Sequence, residues 1–347
     1  MTICGNSAMK KRSRLPVKCG SKAKATSYRT ATSSISGLMC NQRKILILGV
    51  TASGKGALGF ELARRLNGEI ISVDSMKVYR RMDIGTAKPP PEKRRQIRHH
   101  LIDVVEPSEA FSVDRFLELT ETATTQIQAA GRQVVAVGGT AMYIKALLYG
   151  LFEGPASDPA IRRRLNDQID RHGAAALHER LRQIDPQAAD KIHPNDRRRI
   201  IRALEVFELA GQPISTLQKQ WAQEADEDWF VIGLRRPKEI ENSRINQRVR
   251  RMIEEGLLDE VKALLAEPKP MSKQARAAIG YAEIIAYLDG QYSFEDAIEQ
   301  IKINTRKLAK AQRTWFKTFR NVRWLDITET DTLETVAQSA IHRLRIF

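Results

Sequence analysis

A glycine-rich run near the start of the chain constrains the fold more than any other feature. Residues 49–56 read Gly-Val-Thr-Ala-Ser-Gly-Lys-Gly, which matches the phosphate-binding P-loop pattern at every position except the last. An apolar, strand-like stretch, 45–48, precedes the run, and a helical pattern, 57–66, follows it. A strand, a tight loop and a helix in this order aim backbone N–H groups and the positive end of the helix dipole at an anion. The sequence therefore predicts a site for a diphosphate or triphosphate.

The last position of this P-loop departs from the pattern. Lys55 supplies a mobile positive charge for the outer phosphate, but Gly56 stands where a Ser or Thr hydroxyl usually holds Mg²⁺. Glycine has no hydroxyl. The oxygen that holds Mg²⁺ would therefore come from Thr51, Ser53 or water. The predicted phosphate-binding residues are Gly49, Val50, Thr51, Ala52, Ser53, Gly54, Lys55 and Gly56.

The order of strand-like and helical segments predicts an α/β fold. Strand-like runs at 45–48, 69–73, 133–137 and 229–234 alternate with helical patterns such as 113–129. This alternation is typical of a parallel sheet with helices on both faces, which here forms a P-loop NTPase-like core. Ligands of such sheets bind at the carboxyl ends of the strands.

Two polar residues at strand ends are therefore expected to meet the P-loop in one crevice. Asp74 follows the run 69–73, and its carboxylate can hold a metal, accept a proton or cap a turn. After 133–137 the chain reads Gly138-Gly139-Thr140, without the acid that helps hold Mg²⁺ in energy-coupling NTPases. The pattern leaves small-molecule kinases and other diphosphate binders. Thr140 can donate a hydrogen bond to a leaving oxygen or cap the next helix.

A stretch with helical patterns only interrupts the predicted core. It begins near Asp158, after Gly154-Pro155, and is rich in Arg and Ala. The predicted organisation is a disordered basic tail at 1–40, the first part of the core at 41–157, an all-helical inserted domain at 158–223, and the second part of the core at 224–347.

The charge of the chain favours an anionic partner. Of the formal net charge of +16, the first 40 residues carry eight Lys/Arg and no Asp or Glu, which leaves +8 on residues 41–347. A folded body of this charge favours nucleic acid as the partner, although a merely basic surface is the alternative. All three cysteines lie in the tail, so the body has no disulfide, thiolate zinc site or cysteine nucleophile.

The tail has a composition with three interpretations. It is rich in Ser, Thr, Lys and Arg, which suits an organellar transit peptide, a disordered extension or a start codon chosen in error. We expect a disordered extension of a cytoplasmic protein. No apolar run approaches the roughly 18–20 residues of a membrane span.

Clusters of basic residues favour contact with nucleic acid or phosphate. The helical pattern 293–319 is predicted to turn Leu308, Ala311, Trp315 and Phe319 to the core and a basic stripe to the surface. Arginines also open a helix after Asn195 or Asp196, the predicted caps, where they oppose the helix dipole. The stripe is Lys302, Arg306, Lys310, Arg313, Lys317 and Arg320; the opening arginines are Arg197, Arg198, Arg199 and Arg202.

Two shorter motifs have weaker readings. Arg244 and Arg248, four residues apart, lie on one helix face and suit a diphosphate clamp, although a solvated face is the ordinary interpretation. His99-His100 have no companion ligands at metal-site spacing, so we interpret them as structural.

These motifs together resemble the tRNA dimethylallyltransferases, also called isopentenyltransferases. The resemblance covers about residues 43–325 and is specific well beyond the P-loop. The segments that carry it are the P-loop 49–55, Ile71 to Tyr79, Met82 to Pro89, His100 to Asp103, Val137 to Thr140 with Tyr143, His193 to Asp196 with Arg202 to Glu205, Ile279 to Tyr281, and Thr305 to Lys310 with Gln312 and Trp315.

The resemblance implies an activity and roles for particular residues. Such enzymes transfer a dimethylallyl group from its diphosphate to N6 of the adenosine 3′ of the tRNA anticodon, with Mg²⁺. Asp74 would bind the adenine amine and act as base, while Lys55, Thr140 and Arg248 would stabilise the charge growing on the diphosphate. The residues expected at the tRNA are Asp74, Ser75, Met76, Lys77, Arg198, Arg199, Ile200, Ile201, Arg202, Arg276, Gly280, Tyr281, Arg306, Lys310 and Arg313.

Two departures from the family pattern keep alternatives open. Gly56 replaces a Ser or Thr, and Lys77 stands where many members carry Gln. The alternatives are a prenyltransferase that acts on a free adenine nucleotide, a P-loop small-molecule kinase, and a tRNA-binding relative impaired in catalysis. We expect a monomer, with the tRNA anticodon stem-loop and dimethylallyl diphosphate as partners and no membrane association.

Overall fold

The computed structural model describes residues 43–151, 154–218 and 226–345. The tail predicted at 1–40 lies outside these residues, as does the predicted end of the helical insertion near residue 223. The described residues form six strands and fifteen helices. None of the described helices has both the length and the apolar character needed to cross a lipid bilayer.

All six described strands belong to one parallel sheet with the order β3-β2-β4-β1-β5-β6. The first strand lies inside the sheet, with Leu46 opposite Ala136 on one side and Val231 on the other. The strands are β1 (Lys44–Gly49), β2 (Gly68–Val73), β3 (His99–His100), β4 (Gln133–Gly138), β5 (Trp229–Arg235) and β6 (Arg323–Asp326).

The helices cover both faces of this sheet and form a separate group in the middle of the chain. They are α1 (Lys55–Arg65), α2 (Pro91–Gln96), α3 (Val113–Ala129), α4 (Ala141–Tyr149), α5 (Pro159–His172), α6 (Ala174–Ile184), α7 (Pro186–Lys191), α8 (Arg197–Ala210), α9 (Ile214–Leu217), α10 (Lys238–Glu254), α11 (Leu257–Leu265), α12 (Lys273–Arg276), α13 (Tyr281–Leu288), α14 (Phe294–Phe316) and α15 (Leu333–Arg345).

The sequence of β1 explains why the sheet is buried on both sides. Its apolar residues run without interruption, as expected for a central strand of a parallel sheet with helices on both faces. Leu46 and Leu48 face a cluster that includes α3, α4, α10 and α14, whereas Ile45 and Ile47 face a cluster that includes α1 and α15. Successive side chains alternate between the two faces. The carboxyl ends of β1, β2 and β4 consequently point the same way, between these layers.

The helices α5–α9 pack around a third cluster of their own, built on residues such as Leu181 and Leu204. At the edge of this cluster, the fully buried carboxylate of Glu205 accepts hydrogen bonds from Arg162 (Nε at 2.9 Å and Nη2 at 3.0 Å) and from Arg202 (Nη1 at 2.7 Å). The N–H of Asp158 donates to the same carboxylate at 2.8 Å. Glu205 therefore ties the start of α5 to α8.

The predicted α/β core with a parallel sheet is confirmed, and most elements end within two residues of their predicted bounds. Asp196, one of the two predicted caps, begins α8: its Oδ1 accepts the N–H of Arg199 at 3.1 Å. The edge strand β3 was not predicted, because two residues carry no periodicity. It is formed by His99-His100, which we had interpreted as structural.

The inward face predicted for the helical pattern 293–319 is wrong in part. Phe319 is buried and Trp315 packs against the core, as predicted. Leu308 is 40% exposed and Ala311 is also exposed, whereas Ala309, Gln312 and Phe316 are buried. The true stripe has helical spacing but contains a glutamine, and a polar residue is ordinarily placed on the surface when only the pattern is read.

Replacing Glu205 by Gln tests how far this carboxylate stabilises the helical group. The amide keeps the shape but loses the charge that the two guanidinium groups share, so we expect the free energy of unfolding to fall by about 1–3 kcal/mol. The matched control is Glu208→Gln, whose carboxylate also pairs with two arginines, Arg164 and Arg180, but is partly exposed, and for which we expect a loss of ~0–1 kcal/mol. Urea unfolding of both variants gives the comparison; equal losses would contradict the assignment.

Candidate active site

The P-loop forms a pocket of backbone N–H groups between β1 and α1. Two of its residues lie in the left-handed region, Ala52 with φ 61° and Gly54 with φ 98°. Among the described residues, no protein acceptor bonds the N–H groups at positions 52, 54, 55 and 56, whereas the N–H of Ser53 donates to the carbonyl of Val50 at 3.2 Å. Four free N–H groups at the start of a helix form an anion-binding concavity.

Side chains from distant segments hold the P-loop backbone in this shape. Arg244 Nε donates to the carbonyl of Ala52 at 2.8 Å, and Arg236 Nε donates to the carbonyl of Ser53 at 2.9 Å. Gln312, on α14, accepts the N–H of Thr51 at 2.8 Å. The two arginines of α10, predicted together as a diphosphate clamp, therefore have different positions. Arg244 supports the loop, and Arg248 lies near Asp74.

Asp74 and Thr140 lie at the ends of neighbouring strands, as predicted. In the sheet, Val73 of β2 is paired with Gly138 of β4, so the residues that follow each strand are close together. The N–H of Ser75 donates to Thr140 Oγ1 at 3.0 Å. Thr140 is at the N-cap position of α4, but its hydroxyl makes no capping bond. The hydroxyl instead joins the two strand ends.

The carboxylate of Asp74 has one occupied and one open oxygen. Its Oδ1 accepts the N–H groups of Met76 at 2.9 Å and Lys77 at 3.3 Å. Among the described residues, no donor bonds Oδ2. The carboxylate is thus held by its own turn while one oxygen remains available for a ligand.

Three cationic side chains surround this carboxylate. Burial, followed by the nearby charges of Arg248 and Lys77, lowers the pKa of Lys55 to about 7, although Asp74 opposes the change. Burial is also the largest cause of the lowered pKa of Lys77 and of Arg248, and both feel the charge of Asp74. Three cations with one carboxylate leave a net positive charge in a half-buried crevice, which favours a polyanionic ligand.

Tyr143 is a further member of this crevice to which we assigned no role from the sequence. The ring is buried and stacks on Phe116 with centroids 4.2 Å apart. Burial, together with the neighbouring Tyr79 and the charge of Asp74, raises the pKa of its hydroxyl. An aromatic residue near the start of a helical pattern looks like an ordinary core residue. The family resemblance is therefore the only sequence signal for a role of Tyr143 at the site.

The residues present do not form a metal site of protein ligands alone. No group of three or more His, Cys, Asp or Glu side chains in the described ranges could hold a metal ion. Gly56 is exposed and offers no oxygen. The hydroxyl of Ser53, one of the alternatives considered above, is buried without a hydrogen-bond partner, beside Gly49. It does not reach the surface of the loop.

Several residues predicted to contact tRNA are buried. Ile200 and Ile201 pack in the cluster of the helical group. Tyr281 is fully buried, and its hydroxyl donates to Glu260 Oε1 at 2.6 Å. Gly280 is also buried, where it begins α13 with φ 96°. Their side chains or backbone stabilise the fold. Resemblance to a family motif cannot tell whether a residue has such a structural role or contacts a ligand.

The remaining basic residues divide between solvent and partners within the protein. Arg198, Arg199, Arg276 and Lys310 are exposed. Arg202 is half-buried and, besides Glu205, donates to the carbonyl of Pro155 at 2.9 Å.

Residues on α10 bond two members of the stripe on α14. Arg306 donates to Asn246 Oδ1 at 2.6 Å, and Arg313 is paired with Glu241. A third member, Lys302, is paired with Glu299 at 2.6 Å. Contacts within the protein therefore compensate more of the stripe's positive charge than its sequence indicates.

Comparison with known proteins gives a consistent result. The sequence matches the IPP transferase family over residues 77–319, downstream of the P-loop. A curated tRNA dimethylallyltransferase of Geobacter metallireducens is 46% identical over 286 residues, covering 82% of this chain and 92% of the relative.

Solved structures of enzymes with related names are also similar to this chain. A tRNA isopentenylpyrophosphate transferase of Bacillus halodurans has a TM-score of 0.64 at 40% identity, covering 88% of this chain and 97% of that chain. A eukaryotic dimethylallyltransferase acting on tRNA has a TM-score of 0.74 at 31% identity, covering 86% and 78%.

Replacing Lys77 by Gln tests the electrostatic coupling in the crevice. Removing one of the charges that disfavour a protonated Lys55 is expected to raise the pKa of Lys55 above about 7. At pH 8 a larger fraction of Lys55 then carries its proton than in the wild type. NMR titration of isotopically labelled lysine measures this directly. Lys302→Gln on α14 is the control for loss of one lysine; an equal shift in both variants, or none in Lys77→Gln, would contradict the coupling.

Proposed function

The chain belongs to the IPP transferase family, and we propose that it transfers a dimethylallyl group from dimethylallyl diphosphate to N6 of the adenosine 3′ of the anticodon in tRNA. The observation that carries this proposal is the convergence of Lys55, Lys77 and Arg248 around the P-loop with Asp74 among them. The cations suit the diphosphate of the donor, and the carboxylate suits the amine of the acceptor.

The donor half of the reaction uses the P-loop and the cations around it. The free backbone N–H groups and Lys55 bind the diphosphate, and Arg248 on α10 adds a second charge. As the bond between C1 of the dimethylallyl group and the diphosphate oxygen breaks, the negative charge on the leaving group grows. Positive groups fixed in advance stabilise that charge without reorganisation. The diphosphate departs as a leaving group and no nucleotide is hydrolysed, so the chemistry does not require the energy-coupling machinery to which an acid after β4 belongs.

Thr140 contributes a hydrogen bond to the same leaving group. Its oxygen already accepts the N–H of Ser75, and its only other hydroxyl contact within the described parts of the chain is Ser75 Oγ at the long distance of 3.5 Å. The hydroxyl proton is therefore available to a diphosphate oxygen. We assign Thr140 to stabilisation of the departing diphosphate.

The acceptor half of the reaction depends on Asp74. An exocyclic adenine amine is inaccessible within a stack of bases, so the adenosine must be flipped out to reach the crevice. The open Oδ2 of Asp74 accepts a hydrogen bond from N6 and orients it towards C1. The N6–C1 bond forms, the C1–O bond breaks, and the proton lost from N6 passes to the carboxylate, which acts as general base.

Mg²⁺ fits this site as a companion of the donor. It commonly binds through substrate phosphates and water rather than through a cage of protein ligands. With Gly56 in the P-loop and no carboxylate cluster among the described residues, we propose that the diphosphate itself carries the ion.

The tRNA-binding surface is assigned to the exposed basic residues. Arg198 and Arg199 at the start of α8, Arg276 on α12 and Lys310 on α14 are the predicted contacts that lie at the surface. Ser75 and Met76 flank Asp74 at the crevice itself. We propose that the helical group, predicted as a domain over 158–223, and the core hold the anticodon stem-loop together, and that the protein acts as a cytoplasmic monomer.

Labelled dimethylallyl diphosphate tests the activity directly. The protein is incubated with the donor and with tRNA, AMP or no acceptor, and the expected result is label in tRNA only. Label in AMP would indicate a nucleotide prenyltransferase. Binding of tRNA without transfer would indicate the impaired relative, and phosphoryl transfer from ATP in place of both would indicate a kinase.

Asp74→Asn tests the proposed base. The amide keeps an oxygen for the N–H groups of Met76 and Lys77, so the turn is retained while basicity is lost. We expect the rate of transfer to fall about 10²–10⁴-fold. Asp326→Asn, in an exposed pair with Arg235, is the matched control and is expected to keep wild-type activity. An active Asp74→Asn enzyme would overturn the assignment of the base.

A pair of substitutions at Gly56 tests how the metal is held. A Cβ at this position meets no atom within 4 Å, so both Ala and Thr fit. Either side chain is expected to stabilise α1 by up to about 1 kcal/mol, seen in thermal unfolding. If the donor carries Mg²⁺, Gly56→Thr and Gly56→Ala depend on Mg²⁺ concentration as the wild type does. A requirement for less Mg²⁺ in Gly56→Thr alone would instead mean that the missing hydroxyl matters.

A further inference from the structure

Gln312 is a buried polar side chain that joins two loops of the active site. It lies on α14 and is only 7% exposed. Its Oε1 accepts the N–H of Thr51 in the P-loop at 2.8 Å, and its Nε2 donates to the carbonyl of Gly139 at 2.8 Å. The first partner can only donate and the second can only accept, so the orientation of the amide is determined by chemistry.

The two loops that Gln312 joins carry two of the groups that act on the leaving diphosphate. Lys55 belongs to the P-loop, and Thr140 follows Gly139. The loops are in close contact, since a Cβ placed on Gly139 would lie 3.4 Å from Cε of Lys55 and 2.6 Å from Nε2 of Gln312. Only glycine at 139 lets the amide approach this closely.

The bond to Thr51 also decides which N–H groups face the ligand. The N–H of Thr51 is used by Gln312, and that of Ser53 by the carbonyl of Val50. Gln312 thus turns the first part of the P-loop away from the phosphate and leaves the free N–H groups at positions 52 and 54–56 to bind it.

We propose that Gln312 is a positioning residue, which sets the distance between Lys55 and Thr140 and thereby their fit to the departing diphosphate. This inference rests on the proposed function, because it concerns the same leaving group. Gln312 does not contact the substrates itself. Its loss acts through the two loops, and a misplacement of about 1 Å at a reacting centre can reduce the rate on the order of a hundredfold.

Two variants remove different parts of the link. Gln312→Met keeps the length of the side chain and removes both hydrogen bonds. Gln312→Glu keeps an acceptor for Thr51 but sets a negatively charged oxygen against the carbonyl of Gly139. We expect kcat to fall roughly 10- to 100-fold in each, with the KM for tRNA little changed. The matched control is Gln338→Met on α15, an exposed glutamine bonded to Glu334, which is expected to retain wild-type kinetics.

A double-mutant cycle with Thr140→Val separates positioning from a general loss of structure. If Gln312 acts through Thr140, the double variant Gln312→Met/Thr140→Val is less impaired than the product of the two single effects. Multiplicative effects, or a lower melting temperature with unchanged kcat, would overturn the proposal. If Gln312→Met does not fold, the same cycle is measured with Gln312→Glu.

Binding of inorganic diphosphate, measured by calorimetry, keeps this test distinct from the test of the activity. If the wild type transfers no dimethylallyl group, the proposed function fails, but the effect of Gln312 on the P-loop can still be measured. We then expect Gln312→Met to bind diphosphate about tenfold more weakly than the wild type, because the N–H groups of the P-loop are no longer held in one orientation. Affinity equal to that of the wild type would overturn the positioning role.

Discussion

The crevice depends on keeping three cationic groups close together against their mutual repulsion. Lys55, Lys77 and Arg248 share one carboxylate, that of Asp74, and burial makes each charge more costly. The scaffold opposes that cost through apolar strands buried on both faces and through bonds that fix the loop backbone. This unfavourable charge favours a polyanionic ligand, so the electrostatic cost of the crevice and its proposed function have the same origin.

Local patterns in the sequence predicted most of the fold. The P-loop, its strand and its helix are contiguous, so a short stretch contains most of what determines them. The runs before Asp74 and Thr140 are mostly apolar, as a sheet covered on both sides favours, and parallel strands bring their carboxyl ends together whatever their separation in sequence. Convergence of the candidate catalytic residues followed from these two facts.

Hydrogen bonds between segments that are far apart in the sequence could not be predicted from sequence patterns. Gln312 lies 261 positions from Thr51, and nothing in the periodicity of α14 distinguishes a buried glutamine from a solvated one. Tyr281 shows the converse, because a residue in a recognisable motif is fully buried against Glu260. A motif reports that a position is constrained, whereas only the packing tells whether the constraint comes from a ligand or from the core.

The separate apolar cluster of α5–α9 has a consequence for the dynamics of the molecule. Cooperative unfolding units tend to follow contiguous packed clusters, and this one shares no buried residue with the two clusters on the sheet. Its backbone amides can therefore exchange with solvent through a local opening that leaves the strands intact. The free energy of that opening, and not the global stability, would limit how long the basic face of α8 keeps its shape.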